Sequence, residues 1–290
     1  MPESQIQVKL NPDVQPTGSD LAVVNAARRS FNTRSDWEYP FEDCDPSLRK
    51  LKEKDKRLIQ FLARGMTADD FEEFLFNNLT TAWDYHHEND SSEDWWGPKN
   101  EKAEGFKKEF IEQLWEWRNT PTHDTPFNHC FISFEVKAPI FVARQLVKHE
   151  YLIFSEFSRR YITDDIEFYE PDYWRKAAPN KKQGSLEEAV NKEILNEAYP
   201  ETQYFVDAEC YYNDLIDAGV APEQARMVLP QSTMTEWTWS GTLGAFAKMC
   251  QLRLHPEAQY EARLVAQQVY EYLKQYYPVS AKALVEGSDV

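Results

Sequence analysis

The sequence predicts an α+β fold, with strand-forming sequence set among several helices. Three observations carry that prediction. The segment CFISFEVKAP alternates, Phe131, Ser133 and Glu135 against Ile132, Phe134 and Val136, which is the period of a strand. Segments on both sides of it repeat their apolar residues at helical spacing. The chain is also long enough, at 290 residues and 42% hydrophobic, to bury a sizeable core.

Taken in order, residues 1–17 are polar and proline-bearing and predict an irregular lead-in. The segment DLAVVNAARRSF predicts a short helix with Asp20 in the capping position. Residues 32–47, with Pro40 and Pro46, predict a loop. SLRKLKEKDKRLIQFLARG then places Leu48, Leu51, Leu58, Phe61 and Leu62 on a second helix closed by Gly65. Residues 66–118 change character, with paired Trp95 and Trp96, the acidic HHENDSSEDWW and the helical run EKAEGFKKEFIEQLWEWR. They predict a surface excursion packed by its own aromatics, or an added lobe or lid. His86 and His87 are sequence neighbours that a helix would point in different directions, so they do not predict a metal site.

After the turn-like THDTPFNH and the strand, Pro139 can open a helix running through PIFVARQLVKHEYLIFSEFS. A long irregular region, DDIEFYEPDYWRKAAPNKKQGS, follows Tyr161. Residues 186–219 predict a helix broken near Pro200, 222–228 a short helix, and 230–241 an aromatic-rich connection. LGAFAKMCQLRL and PEAQYEARLVAQQVYEYLKQYY predict two helices separated near His255–Pro256. No repeat or low-complexity tract is present.

Charge narrows the function. A net charge of −17 repels nucleic-acid polymers and anionic membranes. Between Lys137 and Tyr161, however, Lys137, Arg144, Lys148, Arg159 and Arg160 face only Glu150 and Glu156. A positive patch on an acidic chain points to a small anionic ligand. No apolar run is long enough to cross a bilayer, and MPESQIQVKL is no signal peptide, so a cytoplasmic location is expected. Cys44, Cys130, Cys210 and Cys250 are scattered, which predicts reduced thiols and no zinc site.

On a helical wheel over 142–158, Arg144, Lys148, Tyr151 and Ser155 share one stripe, and Gln145, His149, Leu152 and Glu156 the next. Such a face is either solvated or satisfied by a ligand, since desolvating so many polar groups is costly. Its cations match phosphate oxygens, and the paired donor and acceptor groups of Gln145 can read a base.

The segment FEVKAPIFVARQLVKHEYLIFSEFSRRY resembles the signature region of flavin-dependent thymidylate synthases. Lys148, His149 and Glu150 stand where that family has R, H and R; Ser155 and Glu156 stand at its N and E, and Ser158 and Arg160 at its final S and R. AARRSF, KDKRLIQFL, HDTPFNH, YEPDYW, NKKQGS, ARMVLPQS, W-x-W-x-G and LRLHPEAQYE are similar to family segments in the same order. Residues 66–118 fall outside the resemblance, as an insertion. Lys148 and Glu150 replace arginines, Ser155 an asparagine, Asn128 a common glutamate, and Lys248 an asparagine of some members.

The resemblance implies one domain over 1–290, built as an antiparallel β-sheet with surrounding helices. It implies a flavoprotein methyltransferase of dTMP biosynthesis that makes dTMP from dUMP. FAD is the implied cofactor, with NADPH and 5,10-methylenetetrahydrofolate as co-substrates. Gln145, Glu156, Ser158, Arg159, Arg160, Arg226 and Arg253 are the implied nucleotide contacts. Ser30, Thr125, Lys148, His149, Glu150 and Lys248 are the implied flavin contacts. Arg253, His123 and Gln145 are the implied catalytic residues, with no metal and no cysteine nucleophile. A homotetramer with shared active sites is implied. The departures at Lys148, Glu150, Ser155 and Lys248 leave two alternatives: a related pyrimidine-modifying enzyme with another nucleotide or a hydroxymethyl product, or a non-catalytic nucleotide-binding homologue.

Overall fold

The computed structural model describes residues 5–41, 44–64, 123–163, 166–179, 185–191 and 203–286. The insertion expected over 66–118, with His86 and His87, and Gly65 and all of NKKQGS but Ser185 lie outside them. The chain forms two compact units. One comprises residues 1–17 and 130–276, the other residues 18–129 and 277–290.

The first unit is built on a four-stranded antiparallel sheet in the order β1-β2-β6-β3. Its strands are β1 (Gln7–Leu10), β2 (Phe131–Pro139), β3 (Leu152–Glu156) and β6 (Met234–Thr242). A two-stranded ladder, β4 (Arg175–Ala177) with β5 (Ser185–Ala189), stands apart from it. The sheet has one apolar face. Phe134 and Trp239 are paired across β2 and β6, and both pack edge-on against Phe246 of helix α6 (Leu243–Arg253). Trp237, one pleat further along, stacks on Phe154 of β3 at 5.0 Å between centroids. Such aromatic pairs add about 0.5–1.5 kcal/mol each beyond the area they bury. On the opposite face the hydroxyls of Ser133 and Ser240 meet at 2.7 Å, and Glu135 and Glu236 are exposed.

Helix α3 (Ile140–Leu146) follows β2 directly, with Pro139 in extended conformation at its start. α4 (Gln203–Asp217) and the single turn α5 (Pro222–Ala225) precede β6, and α7 (Tyr260–Tyr276) follows α6. The hydroxyl of Thr242 caps α6 by accepting from the Ala245 N–H.

The second unit holds α1 (Asp20–Arg28), α2 (Glu53–Arg64) and α8 (Pro278–Val285). Ser19, not Asp20, is the N-cap of α1. The Asp20 carboxylate turns inward, is 3% exposed, and accepts from the N–H groups of Val279 and Ser280 and from the Ser280 hydroxyl. It therefore caps α8, a helix that begins more than two hundred residues later. α2 starts at Glu53, later than its leucine spacing predicts, because Pro46–Leu48 forms a separate 3-10 turn and Lys50 bridges to Glu38.

Four other expectations are corrected. Residues 7–10 are an edge strand, because their alternation pairs with β2. The helix expected over 139–158 ends at Leu146: the β-branched and aromatic run Leu152-Ile153-Phe154 pairs with β6 and becomes β3. Residues 185–189 form β5, so the helix expected from 186 is seen only over Gln203–Asp217 among the described residues. The connection expected over 230–241 holds most of β6, one of the two inner strands of the sheet. No helix among the described residues is long and apolar enough to cross a membrane.

Candidate functional site

Ending α3 at Leu146 abolishes the shared stripe of Arg144, Lys148, Tyr151 and Ser155. Lys148, His149 and Glu150 lie instead in a tight turn, whose last residue, Tyr151, has φ +64°. A bulky residue in that left-handed region is strained by roughly 1–2 kcal/mol. The turn reverses the chain from α3 into β3. It exposes Lys148, Glu150 and Tyr151 and leaves His149 half-buried.

His149 is turned toward α6. Its Nε2 accepts from Arg253 Nε at 2.9 Å, and the Arg253 Nη2 donates to the Gln145 carbonyl oxygen at 3.0 Å. Since Nε2 accepts, the imidazole is neutral with its proton on Nδ1. Burial, and then the charge of Arg253, push the His149 pKa down from 6.5 to about 4. Burial also lowers the pKa of Arg253. The side chain of Gln145 donates through Nε2 to Oε1 of Gln259, just ahead of α7. Arg253, His149, Gln145 and Gln259 thus form one connected polar cluster between α3, α6 and the start of α7.

A second group lies at the end of β3. The alternation of β3 places Glu156 on the apolar face with Phe154, where its Oε1 accepts from Thr235 of β6 at 2.8 Å. Past the strand, Ser158 accepts at its hydroxyl oxygen from both the backbone N–H and Nε of Arg160, each at 3.3 Å. The guanidinium of Arg160 lies over the Tyr161 ring and that of Arg159 over Phe157. Hydroxyl and exposed cation side by side form a donor pair of the kind that phosphate oxygens accept from.

The remaining expected residues have other settings. Arg226 donates to the Glu223 carbonyl of its own turn. Lys148, Glu150 and Lys248 carry exposed side chains. Ser30, Thr125 and His123 belong to the second unit, where all three are exposed. Ser30 sits in a 3-10 turn that Asn32 ends in the left-handed conformation. Its supports are buried: Asp55 holds both the Arg28 guanidinium, at 2.6 Å, and the Ser35 hydroxyl. The His123 N–H donates to the Leu62 carbonyl, and its ring stacks on Phe61 at 5.9 Å. Thr125 opens the turn Thr125–His129, fixed by the buried Phe127.

Three partners went unforeseen: Gln259, Thr235, and the ion pair of Arg175 with Glu261 at 2.5 Å. For Thr235 a signal existed, the alternation of Thr235, Trp237, Trp239 and Gly241 against Glu236, Thr238 and Ser240. For the others there was none beyond ordinary helix-start polarity.

The Ser158–Arg160 pair has the donor chemistry of an anion contact. Cys130 and Cys250 are buried, and burial pushes the Cys250 thiol upward, away from the reactive thiolate. No cluster of three or more His, Cys, Asp or Glu residues that could hold a metal occurs among the described residues.

The chain belongs to the thymidylate synthase complementing protein family, whose model matches residues 14–279. It is 40% identical over 166 residues to a flavin-dependent thymidylate synthase of Thermus thermophilus, covering 57% of this chain. That match spans only 60% of the Thermus protein. A second such synthase, from Thermosipho africanus, is 36% identical over 169 residues, covering 57% of this chain and 72% of the relative. Among solved structures, the UMP/dUMP methylase PolB of Streptomyces cacaoi bound with 5-Br UMP superposes with a TM-score of 0.63. It is 24% identical and covers 98% of this chain and 96% of that one. The same methylase bound with 5-Br dUMP gives 0.62 at 25% identity, covering 98% and 97%.

Proposed function

We propose that this chain is an FAD-dependent methyltransferase that converts dUMP to dTMP. Methylenetetrahydrofolate is its carbon donor and NADPH its reductant. The observation that carries the reading is the cluster in which neutral His149 and the Gln145 carbonyl hold the Arg253 guanidinium. An arginine so braced keeps its orientation without losing its charge. Placed against a pyrimidine, it stabilises negative charge developing on a carbonyl oxygen as the ring carbon becomes nucleophilic. Such an interaction contributes on the order of 3–4 kcal/mol at a transition state.

Ser158 and Arg160 would take the nucleotide phosphate, with Arg159 and Arg226 as further cations. Glu156, fixed by Thr235, would bind the sugar or base. FAD fits the chemistry of the groups present. Ser30 and Thr125 offer hydroxyls, Lys148 and Lys248 offer exposed ammonium groups, and His149 is neutral. Glu150 is exposed in a turn and can face solvent. When bound, the flavin supplies the hydride that reduces the transferred one-carbon unit. His123, resting on Phe61, would contact the folate or the nucleotide. We take residues 66–118 as an insertion in a single family domain. The exposed Tyr151, Ile153 and Tyr161 offer apolar surface for the homotetramer that the resemblance implies. Its location is taken as cytoplasmic.

The test is direct. Purified protein should be yellow, bleach with NADPH, and yield dTMP by mass only when dUMP and methylenetetrahydrofolate are both present. Yellow protein that makes no dTMP under those conditions would overturn the reading. The departures at Lys148, Glu150, Ser155 and Lys248 favour a second reading, methylation of a different pyrimidine nucleotide. A panel of dUMP, UMP and dCMP separates the two, since exclusive use of dUMP rejects the second.

A further inference from the structure

Lys137 does not present a free charge. Its Nζ donates to Oε1 of Glu167 at 2.7 Å and lies 3.6 Å from Oε1 of Glu236. The lysine side chain is more covered than either carboxylate it meets. Lys137 and Glu236 are direct partners across β2 and β6, so their side chains share one face of the sheet. Glu167 belongs to neither strand.

The backbone shows what these three charges join. β3 runs along β6 as far as Glu156, opposite Trp237. The next N–H, that of Phe157, donates to the Glu236 carbonyl at 2.9 Å. Ser158, Arg159 and Arg160 follow directly, beyond the strand. The chain is back on β6 at Glu167, whose carbonyl accepts from the Met234 N–H at 2.8 Å. It stays there through a bridge from Phe168 to Thr233, and the Tyr169 N–H donates to the Ser232 carbonyl at 2.8 Å. The points of departure and return, Glu236 and Met234, are thus neighbours along one edge of β6. Lys137 binds a side chain at each end: Glu236, whose carbonyl holds Phe157, and Glu167, where the chain returns.

We propose that Lys137 is a positioning residue: by tying Glu167 to Glu236 it fixes the foot of the segment that carries Ser158 and Arg160, and so sets their contact with the nucleotide phosphate. The inference rests on the functional reading that places Ser158 and Arg160 at that phosphate. Without the ammonium, two neighbouring carboxylates would repel each other at the foot and loosen it. Lys137 needs no contact of its own with the ligand, since both carboxylates already take up its charge. Exposed ion pairs are weak, so the effect is a few-fold change and not a loss of binding.

The experiment is calorimetric titration of the full-length protein with dUMP and with deoxyuridine, which lacks the phosphate. It is repeated for Lys137→Met, for Lys137→Glu, and for the double swap Lys137→Glu with Glu167→Lys, with circular dichroism melts to confirm folding. The unaltered protein should bind dUMP at least about tenfold more tightly than deoxyuridine. Lys137→Met should weaken dUMP by about two- to fivefold and leave deoxyuridine unchanged. Lys137→Glu gathers three carboxylates and should weaken dUMP further. The double swap again sets one ammonium among two carboxylates, and should recover dUMP affinity to within about twofold of the unaltered protein. Unchanged dUMP affinity in Lys137→Met, a loss shared equally by deoxyuridine, or a folded double swap no tighter than Lys137→Glu overturns the assignment alone. No preference for dUMP over deoxyuridine in the unaltered protein overturns the phosphate reading of Ser158 and Arg160, and this assignment with it.

Discussion

Arg253 donates its Nε proton to Nε2 of His149 at 2.9 Å, a cation hydrogen-bonded to an uncharged imidazole. The pairing works only while His149 is neutral, since a proton on Nε2 would remove the acceptor and set two positive charges together. Burial first, and the Arg253 charge second, lower the His149 pKa to about 4. In a proton-detected nuclear magnetic resonance titration, the His149 ring signals should stay constant through about pH 6–7, where an ordinary histidine titrates.

Stability follows with a definite sign. The unfolded chain binds a proton at His149 near pH 6.5, and the folded chain only near pH 4. The neutral imidazole therefore contributes stability above pH 6.5 that is lost as the pH falls toward 4. Urea midpoints at about pH 7 and about pH 4.5 should differ less in His149→Gln, which cannot titrate, than in the unaltered protein.

Replacing Arg253 by lysine keeps the charge but loses the planar fork that reaches both His149 and the Gln145 carbonyl. Binding of dUMP should weaken by about tenfold or more, equivalent to about 1.4 kcal/mol. Equal affinity in the variant would show that the guanidinium geometry is irrelevant to the ligand.

Gly241 faces Leu152 across β6 and β3. A Cβ there would collide with a Leu152 methyl and stand 3.1 Å from the Tyr151 carbonyl oxygen. Gly241→Ala should cost about 1–3 kcal/mol as β3 shifts to make room. A thermal melt reads the loss directly. Because the shift displaces the turn bearing His149, the variant should also bind nucleotide less tightly.

Asp20→Ala removes the acceptor of three donors at the start of α8. The expected loss is about 2–3 kcal/mol, read as a lower urea midpoint. An exposed N-cap replacement would cost less, so a loss under about half a kcal/mol would contradict the buried geometry.

How much of this was legible depended on how far apart in the chain the interacting residues lie. Helices α1 and α7 were readable because apolar residues at helical spacing mark the face each buries, and α6 from an apolar run with good helix formers. β2 was readable from its own alternation. β3 was not, because Lys148, Tyr151 and Ser155 happen to recur at helical intervals, while the pairing that makes the segment a strand comes from Trp237 and Trp239. The site showed the same divide. The segments resembling the family could be read locally. The expected cationic patch over 137–161, however, loses Lys137, which is ion-paired with Glu167 at 2.7 Å and lies 3.6 Å from Glu236, both distant in sequence. The bond from Gln145 to Gln259 spans 114 residues, and no short pattern announces it. Asp20 was recognised as a capping residue but assigned to the wrong helix, since an Asp at a helix start does not reveal which N–H groups it will meet.

The inner position of β6 bears on how the molecule is made. Ser133 of β2 meets its partner Ser240 across 107 residues of chain, and β3 also waits for β6. During synthesis on a ribosome, β1 and β2 emerge well before the strand that joins them to β3. The aromatic faces of Phe134 and Phe154 are left uncovered in that interval. Production should therefore be sensitive to translation speed and to chaperone supply, with premature termination before Trp237 yielding aggregates rather than a smaller folded product.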